Sequence, residues 1–221
     1  VIVEEREATE PDTPAVPVLP ARTSPVQARS AARVETLLDA AAAVVDEVGF
    51  ERLTTAMVAE RAGASIGTVY RYFPDRIALL HALSTRLFAR YVRTLAERHE
   101  LRSRSHWQDT LDDIIDVFAD MYRTEAGFRA IRFGDTLDIT QGEDEESSGG
   151  RLAEILATDL ADAVPDADRA SVVFALEVVV GMIEALLHRA FVASAEGDPR
   201  FIDEARTVTR EYLIRAINVP A

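Results

Sequence analysis

The side chains best equipped for polar chemistry are gathered between positions 54 and 76. The densest set is Thr68, Tyr70, Arg71 and Tyr72 in one short segment, with a glycine at 67. Hydroxyls, phenols and guanidinium groups of this kind grip phosphate oxygens and read base edges in a major groove. Gly67 would let a backbone approach closely whatever they hold. Nothing comparable speaks for catalysis. The chain has no cysteine, which excludes a disulfide scaffold, thiolate metal sites and thiol nucleophiles. The histidines, His81, His99, His106 and His188, lack paired metal-ligand spacing, and no glycine-rich phosphate loop or Ser/His/Asp order is present. The expectation is a protein that is not an enzyme and carries no cofactor or metal.

These residues must be held by helices. From Val26 to Val48 the apolar positions Leu37, Ala41, Val44, Val45 and Val48 fall on one face, and Gly49 ends the pattern. A short helix follows, capped by Thr54 or Thr55 and broken at Gly63, and a second begins at Ser65, whose hydroxyl can cap it. Arg61-Ala62-Gly63-Ala64-Ser65 joins the two as in a helix-turn-helix: Ala59 and Ala62 are small where the helices must meet, and Gly63 suits a turn with positive φ. Val69 and Phe73, four apart, should face the core, leaving Tyr70, Arg71 and Tyr72 outside. Tyr70 also has a second reading, as a core aromatic joining the third helix to the first. After Pro74-Asp75 a longer helix carries Ile77, Leu80, Leu83, Leu87, Tyr91 and Leu95.

The remaining residues are helical too. Ser105 to Gln108 reads as a capping box. Behind it, Trp107, Leu111, Ile114, Ile115, Phe118 and Tyr122 form an apolar stripe, with Asp109, Asp112, Asp113, Asp116 and Asp120 as the expected solvent face. A Gly/Glu/Ser loop is expected over 135–150, helices over Arg151–Val164 and from Asp166 or Asp168 to about Ala195, and a last helix opened by Gly197-Asp198-Pro199. No alternating strand pattern occurs, so the fold class is all-α. The helix after Asp168 is apolar enough to be buried on most sides. Glu177, Gly181, Glu184 and His188 nevertheless share one stripe, which fits a solvent edge, a dimer interface or a pocket wall. As a pocket, Glu177, Glu184 and His188 with Trp107, Phe118, Tyr122, Phe128 and Phe174 would suit a cationic or amphipathic ligand.

The 221 residues carry 24 basic and 38 acidic side chains, a net charge of −14, and every basic residue is Arg. That acidity opposes nucleic-acid binding over the whole surface. The charge is uneven: −4 over 1–21, zero over 22–76, +4 over 77–104 and −14 over 105–221. A polyanion would meet the first half. Residues 1–25, rich in proline and acids, read as a disordered tail. No run of about 18 uninterrupted apolar residues is present, so no membrane partner is expected, and with no secretory signal the expected compartment is the cytoplasm.

The run from Leu53-Thr54-Thr55 through Ala62-Gly63-Ala64-Ser65, Gly67-Thr68-Val69-Tyr70, Tyr72-Phe73, Arg76 and Leu79-Leu80 resembles the tetracycline-repressor-like (TetR) family of bacterial transcription regulators. The resemblance covers about residues 30–80. It implies a helix-turn-helix DNA-binding domain over 26–76 and a ligand-binding and dimerisation domain over 77–221. It further implies phosphate contacts at Thr54, Thr55 and Arg76, base-edge approach by Ser65, Gly67, Thr68 and Arg71, and backbone or thymine-methyl contacts at Tyr70 and Tyr72. This chain has Ile at 66, where some members are polar or basic. It has Tyr at 72, where His is common, and Arg at 76 in place of the usual Lys. The implied protein is a ligand-released repressor, homodimeric through its last two helices, on a palindromic operator in double-stranded DNA. Its small-molecule effector is left unidentified. An activator would use the same DNA contacts, and a helical sensor or partner-binding module without DNA binding is the alternative from another class.

Overall fold

The computed structural model describes residues 25–101, 107–130, 148–160 and 167–218, and within these all regular structure is helical. Four helices occupy the first part: α1 (Pro25–Val48), α2 (Thr55–Arg61), α3 (Ile66–Tyr72) and α4 (Arg76–Leu101). Then come α5 (Trp107–Thr124), α6 (Ser148–Leu160), α7 (Arg169–Phe191) and α8 (Pro199–Ile217), with 3-10 turns at Phe50–Arg52 and Phe128–Ala130. The expected tail lies outside the described residues up to position 24. So do Ser105 of the expected capping box, the acidic loop at Glu143–Glu146, and the expected end of α6 at Val164.

The punctuation acts as its chemistry dictates. Gly49 stands at φ 81° and donates its N–H to the Val45 carbonyl at 2.8 Å, closing α1. The Asp168 carboxylate caps α7 by accepting from the Ser171 N–H at 3.0 Å, and Asp198 caps α8 with Pro199 at its first position. Helix α7 ends at Phe191, four residues before its expected end.

Leu37, Ala41, Val44 and Val45 of α1 are buried with Val58 and Ala59 of α2 and with Val69 and Phe73 at α3. In the body, Phe118 and Tyr122 of α5 meet Tyr91 of α4, Phe128 and Phe191. Neighbouring rings in this cluster stand 4.9–5.5 Å apart, mostly edge to face. The Phe128 turn also reaches the headpiece. Gly127 at φ 80° donates its N–H to the Asp46 carboxylate at 3.2 Å, and a β-carbon there would lie 3.2 Å from the Ala42 backbone. The end of α1 thus rests on the body independently of α4.

Two expectations about faces are corrected. The aspartate stripe of α5 is a solvent face only at Asp120, because α4 and α8 dock over Asp112, Asp113 and Asp116. Arg98 of α4 reaches Asp113 at 4.0 Å, Asp116 at 3.7 Å and Asp120 at 3.4 Å. From α8, Arg206 pairs with Asp116 and with Asp112 at 3.7 Å, and Arg210 pairs with Asp112 at 3.3 Å. Asp113 is only 2% exposed. Two further arginines of α4 are likewise spent within the chain: Arg86 on Glu35 (3.1 Å) and Asp39 (2.7 Å) of α1, Arg90 on Glu125 (2.6 Å). They tie α4 to its neighbours more than they present positive charge. Because Arg206 serves Asp112 and Asp116 of α5 as well as Asp203 of its own helix, Arg206→Ala should cost about 1–2 kcal/mol of stability. Thermal unfolding checks this, and the gap between variant and parent should narrow at high salt.

The second correction concerns α7. By length and mean hydropathy (2.2) it is apolar enough to cross a membrane; a count of uninterrupted apolar residues overlooks this, because Glu177 and Glu184 interrupt the run. In this fold α7 packs against α6 and α8. One side, with Val172, Leu176, Val179, Ile183 and Leu187, is buried; the opposite side exposes Glu177, Gly181 and Phe174, the last at 63%. Within one chain α7 is buried on one side, not on most.

Candidate nucleic-acid interface

The interface begins with two caps. The Thr54 hydroxyl accepts from the Met57 N–H at 3.2 Å and starts α2; the Ser65 hydroxyl accepts from the Thr68 N–H at 3.1 Å and starts α3. Between them Gly63 takes φ 58°, a left-handed conformation costly for a residue with a β-carbon. The Ala64 N–H returns to the Ala59 carbonyl at 2.9 Å, so the turn is fixed by backbone as well as by caps. Thr54→Ala should cost about 1 kcal/mol by leaving the first turn of α2 uncapped, measurable by chemical denaturation.

Helix α3 is anchored by Val69, fully buried, and by Phe73 just past its end. The face opposite is open: Ser65, Ile66, Gly67, Tyr70 and Arg71 are exposed and Thr68 is half-buried. Ser65 and Thr68 share a hydroxyl–hydroxyl bond of 2.9 Å. Tyr70 stands half in solvent and is not a core aromatic between α3 and α1. Its phenol is held from behind, since Thr55, itself 8% exposed, donates its hydroxyl to the Tyr70 oxygen at 3.2 Å.

The nine residues singled out from the sequence fall into three groups. Ser65, Gly67, Thr68 and Tyr70 form one exposed surface, with Thr54 exposed at the start of α2. Thr55 and Arg76 instead make bonds inside the headpiece. Arg76 donates to the Phe50 carbonyl at 2.8 Å and lies over the Phe50 ring at 5.5 Å. The third group, Arg71 and Tyr72, leans toward α1. The Arg71 guanidinium lies 4.9 Å over the Tyr72 ring and donates to its phenol oxygen at 3.2 Å. A bond from Ser30, and then the positive charges of Arg71 and Arg33, hold that phenol below its ordinary pKa. Arg29, Ser30, Arg33, Arg71 and Tyr72 line an open cleft of about 590 Å³. The sequence reading missed the α1 half of this cleft; its signal was the spacing of four between Arg29 and Arg33, which puts both on one face.

The residues weighed for a ligand do not come together as one set. Phe118, Tyr122 and Phe128 share the aromatic cluster, while Trp107 is half-buried at the start of α5. Glu184 and His188 are half-buried; Glu177 and Phe174 are on the exposed side of α7. Tyr91 belongs with the first group and was missed. It is fully buried, its hydroxyl donates to the Ile114 carbonyl at 3.3 Å, and burial, with the Glu184 charge second, pushes its phenol pKa well up.

Residues 37–83 match the family model described as bacterial regulatory proteins, tetR family, and residues 105–217 match that of the tetracyclin repressor-like C-terminal domain. A TetR-family transcriptional regulator from Streptomyces coelicolor has a similar solved structure. It is 32% identical, with a TM-score of 0.69, and the match covers 83% of this chain and 99% of that one. The HTH-type transcriptional repressor KstR of Rhodococcus jostii is 29% identical over 63% of this chain, and the HTH-type transcriptional regulator BetI of Cronobacter sakazakii is 26% identical over 82%. The match spans 89% of the BetI protein but 65%, just under two thirds, of that KstR.

Proposed function

This chain belongs to the TetR family of bacterial regulatory proteins, and we propose that it is a ligand-released transcriptional repressor that binds a palindromic operator as a homodimer in the cytoplasm. Its regulator relatives and the absence of a nucleophile–base constellation in the sequence support a role without enzymatic activity. We take residues 26–76 as the DNA-binding headpiece, 77–221 as the ligand and dimer body, and 1–25 as a tail. The observation that carries the reading is the surface of α3. Ser65, Gly67, Thr68 and Tyr70 face outward on a helix pinned from behind by Val69 and Phe73, a geometry suited to a major groove. Thr54 meets phosphate in this reading; Thr55 and Arg76 act by fixing Tyr70 and the Phe50 turn.

The exposed side of α7, with Phe174 and an open surface at Gly181, supports pairing of α7 and α8 with the same helices of a second copy. Two recognition helices about 34 Å apart would then meet successive major grooves. The effector is assigned to the aromatic cluster of the body, where Glu184 supplies a carboxylate near Tyr91, a setting for an amphipathic or cationic molecule. Displacing those rings would move two attachments of the headpiece, α4 and the Gly127 turn against α1. Ligand and operator would then oppose each other by one reciprocal coupling free energy. A mobility-shift titration with a palindromic promoter fragment tests the reading: a shift that weakens steeply with salt is expected. A folded dimer that shifts no fragment at low salt would favour a helical sensor without DNA binding.

A further inference from the structure

We propose that Arg29, Arg33 and Arg71, with the Ser30 and Tyr72 hydroxyls, form a phosphate cleft that grips the operator backbone beside α3, so that Arg71 holds a phosphate and does not read a base. The proposal rests on the DNA-binding reading and adds to it a site on α1.

Charge is the first argument. In a chain of net charge −14, arginines elsewhere are largely consumed at home: Arg61 by Glu47, Arg86 by Glu35 and Asp39, Arg98, Arg206 and Arg210 by the α5 aspartates. Arg29, Arg33 and Arg71 converge on one cleft, and no carboxylate lines it. Helix α1 sorts its charges by face. Glu35 and Asp39 turn to α4 and are taken by Arg86, whereas Arg29 and Arg33 turn to α3. Such an uncompensated cluster repels itself unless an anion from outside completes it.

Geometry is the second. Arg71 sits on the exposed side of α3, yet its guanidinium is folded back over the Tyr72 ring and tethered to the phenol oxygen. A planar guanidinium fixed this way is pre-organised for two parallel bonds to a phosphate. The Tyr72 phenol, bonded first by Ser30, also faces the Arg71 and Arg33 charges, so both hydroxyls sit among the guanidinium groups of the cleft. The cleft opens to solvent at the flank of α3, where the backbone bordering an occupied major groove would pass.

The test uses the full chain carrying Arg29→Gln, Arg33→Gln or both, titrated against operator and scrambled duplex at several salt concentrations. The salt slope should fall by about 0.9 for each phosphate no longer neutralised, so in a dimer by about 1.8 for either single variant and about 3.6 for the pair. Affinity should drop about tenfold or more for both duplexes, leaving the preference for operator unchanged. Arg71→Gln should behave in the same way. A double variant with parental helicity and melting temperature and an unchanged slope would overturn the cleft, while operator binding by the parent leaves the repressor reading intact. Arg71→Gln changing which base is preferred would overturn it too, as would variants that lose only binding of inorganic phosphate. A parent that binds no duplex overturns both.

Discussion

Gly67→Leu should fold at least as well as the parent protein and lose operator binding by about a hundredfold. The fold does not require glycine at this position. Gly67 is exposed, and a β-carbon there would meet only the Ser65 hydroxyl oxygen, at an ordinary 3.8 Å. Glycine inside a helix costs up to about 1 kcal/mol relative to alanine, so this residue lowers the stability of α3 without filling any need of the free chain. The contrast with Gly63 is instructive, since φ 58° there makes glycine a demand of the turn itself. A residue the fold does not need, on the face that carries Ser65, Thr68 and Tyr70, makes sense if another surface must come close. Adding a leucine side chain at that point should cost about 1.4 kcal/mol in each half-site, and two half-sites multiply to about a hundredfold. Gly67→Ala should give a smaller loss with a small gain in stability. Thermal melts and anisotropy titrations of the same preparations separate the two effects. Undiminished binding by the leucine variant would remove α3 from the interface.

The second large effect lies in the body. Phe118→Ala should lower stability by about 3–5 kcal/mol, which for a chain of this size corresponds to roughly 6–20 °C in melting temperature. Phe118 is 3% exposed and touches three rings: Tyr91 at 5.4 Å, Tyr122 at 5.5 Å and Phe128 at 5.2 Å. Its removal therefore takes away a joint between α4, α5 and the Phe128 turn. Phe174→Ala is the matched control. Being 63% exposed within one chain, it should leave the fold intact, and in the dimer reading it weakens self-association instead. A melt in which both variants lose the same stability at the same protein concentration would place Phe174 in the core, against this assignment of faces.

The headpiece was legible in the sequence because its boundaries are local. Thr54, Gly63 and Ser65 each satisfy backbone groups within three or four residues, so residue type and spacing locate the turn without knowledge of the rest. Val69 and Phe73 gave the inner face of α3 by the same logic. What stayed hidden depends on partners distant in sequence. The aspartates of α5 do mark a polar face, yet only Arg98, Arg206 and Arg210, arriving from either side, decide that this face is covered. The same holds for Arg76, whose neighbour is the Phe50 carbonyl 26 residues earlier. The cleft of Arg29 and Arg33 needed α3 beside it. For α7, the apolar run suggests burial on most sides, whereas within the chain only the side with Val172, Leu176, Val179, Ile183 and Leu187 is buried. Trp107, Phe174 and Glu177 were grouped with Phe118 by chemistry alone; the fold leaves Phe174 and Glu177 on the open side of α7 and Trp107 about three turns from Phe118 at the start of α5.

Selection from a random duplex pool at moderate salt, with the full chain as bait, decides whether α3 reads DNA from two successive grooves. Enrichment of a palindrome whose half-sites are centred about one helical turn apart is expected. Gly67→Leu, carried through the same rounds, should enrich nothing. A folded, dimeric protein that recovers no common sequence, or an asymmetric site bound equally well by the Gly67→Leu variant, would contradict the repressor reading.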